Sequence, residues 1–338
     1  MRAPSISGTM VRMAALIDRA ALDSATAQGT LGEDGRSGAA LERMTLVDGQ
    51  PVVVKRYDPA ADLVMRMIGD DHGREVEIFL SGVLDDLPPT VRHPILGAWY
   101  DEDGRGVVVM RDLGDAVLTW DDVLSPARLR FLLEGLADFH AAYRGRVDVL
   151  PTDLGDVVRL FEPDRIRPFA GNGLIDVALR GWEYFAEVAP DEVGQRVLAL
   201  AMDGSPLVRA LKGRPPTFLH GDASTVNLAL EPGAVTMFDW GVATTGPAEM
   251  DVARLLVGSG HILEVTFDEF VAIQREVAGA DHDERSLLLS LLAAIAWLGW
   301  NKALDIVEHP DEAVRERERQ GLNWWLGQAR LAFETGDI

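Results

Sequence analysis

Apolar and polar positions in the first third of the chain follow the pattern of strands joined by turns. Four runs have the composition of strands, at residues 39–47, 52–57, 95–100 and 106–111. The first two runs are separated by Asp48-Gly49, which is a strong two-residue hairpin signal. Helical spacing is found over residues 9–23 and over 62–84. Residues 1–113 are therefore predicted to form a small antiparallel sheet that carries one main helix.

Beyond Leu113 the helical period dominates the chain. Six side chains from Leu129 to His140 lie on one helical stripe, and further helices are predicted over 174–188 and 193–202. Short strand candidates return only at residues 217–219, 228–230 and 235–238, before helices resume from Asp251 to the end. The pattern predicts a larger, mainly helical domain over residues 114–338.

Composition and charge exclude several classes of protein. The 54 acidic and 32 basic residues give a formal net charge of −22, which disfavours binding to nucleic acid or to an anionic membrane. The chain has no cysteine, so disulfides, thiolate metal sites and cysteine nucleophiles are excluded. Its longest nearly apolar run, residues 287–300, is shorter than the ~18 residues that a membrane span requires and is expected to be a buried helix. No export signal is recognisable, and we expect a cytoplasmic protein.

The strongest chemical signal lies in residues 218–228 and 237–240. Asp222 precedes Asn227 by five positions, and Asp239 follows a short apolar strand. These residues supply what phosphoryl transfer from a nucleotide requires: one carboxylate to orient the attacking hydroxyl and two oxygen ligands for Mg²⁺. The chain contains no Walker-type phosphate-binding motif.

His220-Gly221-Asp222, Asn227 and Asp239 resemble the signature of the aminoglycoside phosphotransferase and choline kinase-like family. The resemblance implies an α+β, bilobal, protein-kinase-like fold with the lobes meeting near residue 113. It also implies a kinase that uses ATP or GTP with Mg²⁺. Asp222 would be the catalytic base, while Asn227 and Asp239 would bind the metal.

Residues upstream follow the order that this family requires. Lys55 ends an apolar strand and would contact the nucleotide phosphates, with Glu75 as its ion-pair partner and Glu77 as the competing choice. The glycine-rich stretch before the hairpin is expected to cover the phosphates. Its proposed contacts are Gly35, Arg36, Ser37 and Gly38.

Further positions are assigned by the same resemblance. Met110 and Asp112 lie where backbone groups of the interlobe hinge would bind the nucleotide base. Asp251 is expected to support the catalytic loop by hydrogen bonding, and His220 to brace that loop. We expect His140 to be a packing residue.

Three functions agree with these observations. The first is transfer of a phosphoryl group to a hydroxyl of an amino-bearing small molecule, the second is the same reaction on a neutral sugar or metabolite, and the third is a nucleotide-binding pseudokinase. Late tryptophans could form an aromatic cage for an amine, although we expect most of them to pack in the core; they are Trp297, Trp300, Trp324 and Trp325. Neighbouring carboxylates that could meet amino groups are Asp281, Asp283 and Glu284. The sequence does not indicate the oligomeric state.

Overall fold

The computed structural model describes residues 17–30, 40–146 and 153–338. Its strands are β1 (Thr26–Thr30), β2 (Ala40–Thr45), β3 (Pro51–Arg56), β4 (Val91–Arg92), β5 (Ile95–Tyr100), β6 (Gly106–Arg111), β7 (Thr217–Leu219), β8 (Leu228–Glu231), β9 (Ala234–Met237) and β10 (Thr244–Gly246). Its α-helices are α1 (Arg19–Asp23), α2 (Leu63–Ile68), α3 (Arg74–Ser81), α4 (Pro126–Ala142), α5 (Leu154–Val158), α6 (Pro163–Ile166), α7 (Gly173–Val188), α8 (Glu192–Met202), α9 (Ser205–Lys212), α10 (Glu249–Ser259), α11 (Phe267–Ala278), α12 (Glu284–Glu308) and α13 (Glu312–Glu334).

The N-terminal sheet has the strand order β1-β2-β3-β6-β5, and every neighbouring pair is antiparallel. The predicted hairpin between β2 and β3 is confirmed, with Gly49 at φ 89° in its turn. Val52 and Val54 point to one face of β3 and pack in a small apolar core. Lys55 therefore points to the opposite face, towards α3 and the rest of the protein.

The helical stretch expected over residues 62–84 is divided into two helices. α2 ends at Gly69, which adopts the left-handed conformation with φ 66°. The carboxylate of Asp70 then accepts hydrogen bonds from the amides of His72, Gly73 and Arg74, and this turn starts α3 in a new direction. Only α1 represents the helix predicted over residues 9–23, because residues 1–16 lie outside the described part of the chain.

The larger C-terminal part is mainly helical and is organised around α12. This helix packs against α7, α10 and α13, and most of its side chains are buried. It is long and apolar enough to cross a membrane by length and composition. However, 78% of its most apolar window is buried inside the protein, as in the core helix of a folded domain. The α+β fold with a small antiparallel sheet and a larger helical part is confirmed.

Two of the contacts that join the first 113 residues to the rest of the protein involve strands. Arg111 at the end of β6 forms a bidentate ion pair with Glu231 on β8, with nitrogen–oxygen distances of 2.9 and 2.7 Å. β4 lies within the first 113 residues but pairs in parallel with β9 in a second sheet of order β4-β9-β8. The lobe boundary at residue 113 stays a prediction.

Candidate active site

The predicted catalytic loop runs from the end of β7 to the start of β8 and is closed by its own hydrogen bonds. The backbone oxygen of Asp222 accepts from the amide of Ser224 at 2.8 Å and from Nδ2 of Asn227 at 2.9 Å. The same Nδ2 lies 3.1 Å from Oδ2 of Asp222. The asparagine therefore fixes both the backbone and the carboxylate of Asp222, which leaves its own Oδ1 available as a ligand.

Gly221 allows this loop to pass close to the turn that precedes β10. Its φ is 82°, in the left-handed region that favours glycine. A Cβ atom at this position would lie 2.2 Å from the backbone oxygen of Val242. Any side chain here would displace the backbone at position 221, next to Asp222.

Asp251 on α10 binds the backbone of this loop. Its carboxylate accepts hydrogen bonds from the amides of His220 and Gly221 and from Nε2 of His140, each at 2.9 Å. Burial alone would raise the pKa of Asp251, but the hydrogen bonds from His140 and the Gly221 amide, together with the two nearby histidines, outweigh burial and hold the pKa below its ordinary value. Asp251 is therefore a buried carboxylate, and His140 orients it rather than only filling space.

His220 stabilises the same loop through contacts of both ring nitrogens. Its Nε2 lies 2.9 Å from the backbone oxygen of Phe238, and its Nδ1 lies 3.3 Å from the amide of Asp222. A carbonyl can only accept and an amide can only donate, so these contacts correspond to the neutral ring with the proton on Nε2. The amide of Phe238 donates in turn to the backbone oxygen of Asn227 at 3.1 Å.

Asp239 lies two residues beyond the end of β9 and has a backbone conformation that few residues adopt. Its φ is 64°, and it is the only non-glycine residue with positive φ among the described residues. Aspartate tolerates this conformation better than most residues, and such outliers gather at functional sites. Its side chain is 44% exposed and forms an ion pair with Nζ of Lys55 at 2.7 Å.

Lys55 is buried and contacts two carboxylates. Besides Asp239, its Nζ lies 3.3 Å from Oε2 of Glu75, whereas Glu77 is exposed. Burial alone would lower the pKa of Lys55, but Asp239 and Glu75 outweigh burial and raise it well above its ordinary value. The partial burial of Asp239 would likewise raise its pKa, and the Lys55 ammonium holds it below its ordinary value. The ion pair is therefore fully charged at neutral pH.

Tyr57 is a residue of this cluster that the sequence analysis missed. Its hydroxyl donates a short hydrogen bond to Oε2 of Glu75. Oε1 of Glu75 accepts from the amide of Trp240 at 3.3 Å, so α3 is tied to the segment that contains Asp239. Tyr57 follows Lys55 by two positions, and strand alternation would have placed both side chains on one face.

The two residues predicted for the interlobe hinge lie at the end of β6 and just beyond it. Met110 is buried and pairs with residues of both β3 and β5. The amide of Asp112 donates to the backbone oxygen of Pro51, and its carboxylate lies 2.6 Å from Nε of Arg43. These contacts order the hinge, while base binding by Met110 and Asp112 stays a prediction. Gly35, Arg36, Ser37 and Gly38 lie outside the described residues.

The oxygen ligands at this site fit Mg²⁺. Asn227 and Asp239 supply an amide oxygen and a carboxylate, and Mg²⁺ is commonly held by one or two protein oxygens together with water and substrate phosphates. Within residues 17–30, 40–146 and 153–338, no group of three or more His, Asp or Glu side chains could hold a metal by itself. A nucleotide that brings its own phosphate oxygens would complete such a site.

The late tryptophans pack mainly in the core, as expected for most of them, and form no aromatic cage. Trp297, Trp300 and Trp325 are buried in the core, and only Trp324 is partly exposed. Its Nε1 donates to Asp268 at 2.8 Å.

The carboxylates expected to meet amino groups have arginine partners instead. Asp281 pairs with Arg144, Asp283 with Arg214 and Glu284 with Arg275. Of the two roles considered for these residues, packing and structural pairing are the ones observed, and they form no amine cage.

The comparisons agree with the site. Residues 33–288 match the profile of the family described as the phosphotransferase enzyme family (APH), which confirms the resemblance inferred from the sequence. A comparison with curated protein sequences finds no match. Among solved structures, choline kinase LicA from Streptococcus pneumoniae has a TM-score of 0.53 at 13% identity, covering 89% of this chain and 94% of that one. Spectinomycin phosphotransferase APH(9)-Ia, in complex with ADP and spectinomycin, has a TM-score of 0.50 at 12% identity, covering 92% and 93%. At these identities the structural likeness shows the fold alone.

Proposed function

Because the chain belongs to the phosphotransferase enzyme family, we propose that it is a Mg²⁺-dependent kinase that transfers the γ-phosphoryl group of ATP or GTP to a hydroxyl of an amino-bearing small molecule. One observation carries this proposal. A continuous set of contacts runs from Lys55 through Asp239 and the strand before it to Asn227 and Asp222. These are the residue types that phosphoryl transfer requires, gathered at one place.

Each residue would act through an atom whose surroundings are known. The acceptor hydroxyl would attack the γ-phosphorus, the bond to the β–γ bridging oxygen would break, and Asp222 would take the hydroxyl proton as ADP or GDP leaves. Lys55, held by Glu75, would bind phosphate oxygens. Asn227 and Asp239 would hold Mg²⁺, which neutralises charge that develops on the phosphoryl oxygens.

The acceptor class is supported by charge. A surface with a net charge of −22 attracts cations, and the names of choline kinase and spectinomycin phosphotransferase refer to amine-bearing compounds. Because the donor nucleotide is a cellular metabolite, the proposal places the reaction in the cytoplasm.

Two substitutions test the assigned roles. Asp222→Asn should lower turnover by about 10²–10⁴-fold while Mg²⁺-nucleotide affinity, measured by calorimetry, stays unchanged. Asp239→Ala should weaken Mg²⁺-dependent nucleotide binding by at least about 10-fold, because even indirect contacts to a bound metal commonly contribute that much. Asp164→Asn is the control, since the side chain of Asp164 is 88% exposed. Full turnover by Asp222→Asn would refute the base, and unchanged affinity of Asp239→Ala would remove it from the metal site.

A nucleotide-consumption screen would identify the acceptor. Aminoglycosides, amino alcohols, sugars and nucleosides would be tested with ATP and GTP at low and high salt. We expect an amine to react and its kcat/KM to fall as salt rises, because screening weakens attraction to an acidic surface. A neutral sugar as the best acceptor would contradict the proposed class. Nucleotide binding without any transfer would indicate a pseudokinase.

A further inference from the structure

Arg254 on α10 contacts the carboxylate of the proposed catalytic base. Its Nη2 lies 2.7 Å from Oδ1 of Asp222, and its side chain is only 12% exposed. Among the described residues, Asp222 is the only carboxylate within ion-pair distance of this guanidinium. The contact therefore joins one charge to one counter-charge at the centre of the site.

Two neighbours determine the position of the guanidinium: one contacts it and the other leaves space for it. It lies over the ring of Trp297 on α12, 5.2 Å from the ring centroid. One turn further along α10, a Cβ atom at Gly258 would lie 2.2 Å from Nη1 of Arg254. Glycine inside a helix costs about 0.5–1 kcal/mol relative to alanine. At this position the missing side chain creates the space through which Arg254 reaches Asp222.

Both oxygens of the Asp222 carboxylate have a neighbour that limits their movement, an ion pair at Oδ1 and a hydrogen bond at Oδ2. Arg254 contacts Oδ1 of Asp222, and Nδ2 of Asn227 lies 3.1 Å from Oδ2. A carboxylate held at both oxygens cannot turn freely about its terminal bond. Oδ1 is buried, so the acceptor proton would go to Oδ2, which keeps a lone pair beside its contact with Asn227. Orientation of this kind is a large part of what a general base contributes.

We propose that Arg254 is a positioning residue that, together with Asn227, fixes the Asp222 carboxylate for the acceptor hydroxyl, and that Gly258 provides the space for it. This inference rests on the proposed kinase function. It predicts an effect on turnover and little effect on the nucleotide, because Lys55 and Asp239 contact neither Arg254 nor Gly258 within the described part of the chain.

Steady-state kinetics with the acceptor found in the screen test the proposal. Arg254→Ala should lower kcat by about 10²-fold with the nucleotide KM within about twofold. Arg254→Lys should recover part of that loss. Millimolar guanidinium ion should restore part of the turnover of Arg254→Ala but none of the turnover of Asp222→Asn.

Gly258→Ala tests the same contact without removing the charge. The added methyl group would clash with the flexible end of Arg254, while its other neighbour, Cβ of Ser224 at 3.6 Å, lies at an ordinary contact distance. The fold is therefore kept while the guanidinium is displaced. We expect a loss of about 10-fold in kcat in the native background and no further loss in the Arg254→Ala background, because both changes break one interaction. Gly327→Ala on α13 is the matched control, since a Cβ there would meet nothing within 4 Å.

The outcomes distinguish the positioning role of Arg254 from the proposed kinase function. An active native protein with an equally active Arg254→Ala variant would overturn the positioning role alone. Equal losses from Gly258→Ala in both backgrounds would also overturn it, because the glycine would then act independently of Arg254. A native protein that transfers phosphate to no acceptor would overturn the proposed function and the positioning role with it.

Discussion

Replacing Asp251 by asparagine removes the charge that supports the catalytic loop while keeping the size of the side chain. The native carboxylate is only 1% exposed. One oxygen accepts from the amide of Gly221, and the other accepts from the amide of His220 and from His140. An asparagine has one oxygen, so its NH₂ group must face a donor.

The better orientation keeps the oxygen towards His220 and His140 and turns the NH₂ group towards the amide of Gly221. This loses one hydrogen bond to a charged group, worth about 1.5–3 kcal/mol, and leaves a buried donor unpaired at about 1–3 kcal/mol. A neutral amide is easier to bury than a carboxylate, which offsets part of the loss. We expect Asp251→Asn to reduce the free energy of unfolding by about 3 kcal/mol and to lower Tm on the order of 5 °C.

The pH dependence gives a second readout. The pKa of Asp251 is lower in the folded protein than in the unfolded chain. Its ionised form therefore stabilises the fold above the unfolded pKa of about 4, and this contribution is lost as pH falls through the folded pKa. The stability difference between native protein and Asp251→Asn should be constant from about pH 5.5 to 8 and should narrow below about pH 4.

Urea unfolding followed by circular dichroism at several pH values measures this difference. Asp281→Asn is the control, because Asp281 forms an exposed ion pair with Arg144 whose loss should cost less than about 1 kcal/mol. If Asp251→Asn were as stable as this control at pH 7, the carboxylate would not support the loop. A difference that grows as pH falls would reverse the sign of the argument.

Two further predictions concern backbone and core. Gly221→Ala should lower Tm and reduce turnover by more than about 10²-fold, because backbone strain of roughly 1–2 kcal/mol adds to the clash with Val242. Gly104→Ala is the control for strain alone, since Gly104 has a φ of 78° and no atom near its Cβ position. Equal effects of the two substitutions would contradict the clash with Val242. Lys302→Met should destabilise the protein in urea unfolding, because it removes the 2.9 Å partner of the buried Glu318. The loss should stay below the ~3–5 kcal/mol of an uncompensated buried charge, since Arg317 still contacts Glu318 at 3.1 Å. The double change Lys302→Met with Glu318→Leu should recover most of that loss, and failure to recover it would refute the ion-pair explanation.

The sequence predicts the local parts of this protein well. The hairpin before Lys55 depends on a turn signal and alternating apolar residues, and both are readable over a few positions. Asp222, Asn227 and Asp239 have a characteristic spacing because one loop and one strand connect them. For such features the sequence neighbours are also the structural neighbours, so the pattern contains the geometry.

Features made by packing are harder to predict. Arg254 reaches Asp222 only because α10 lies beside the catalytic loop and Gly258 leaves room for the guanidinium. The residues are 32 positions apart in the chain, and no local pattern links them. Similarly, Trp297 belongs to the apolar surface of α12, and whether it faces core or cleft depends on the packing of that helix.

Two residues of α10 are expected to differ in their effects on protein stability and on turnover. Asp251 and Arg254 lie three residues apart on this helix, so both face the same loop. Asp251 holds the loop backbone, whereas Arg254 contacts only the side chain of Asp222. Loss of Asp251 should therefore reduce both stability and turnover, while loss of Arg254 should reduce turnover with a smaller change in Tm. If the two variants changed Tm equally, Arg254 would support the fold and not the orientation of the base.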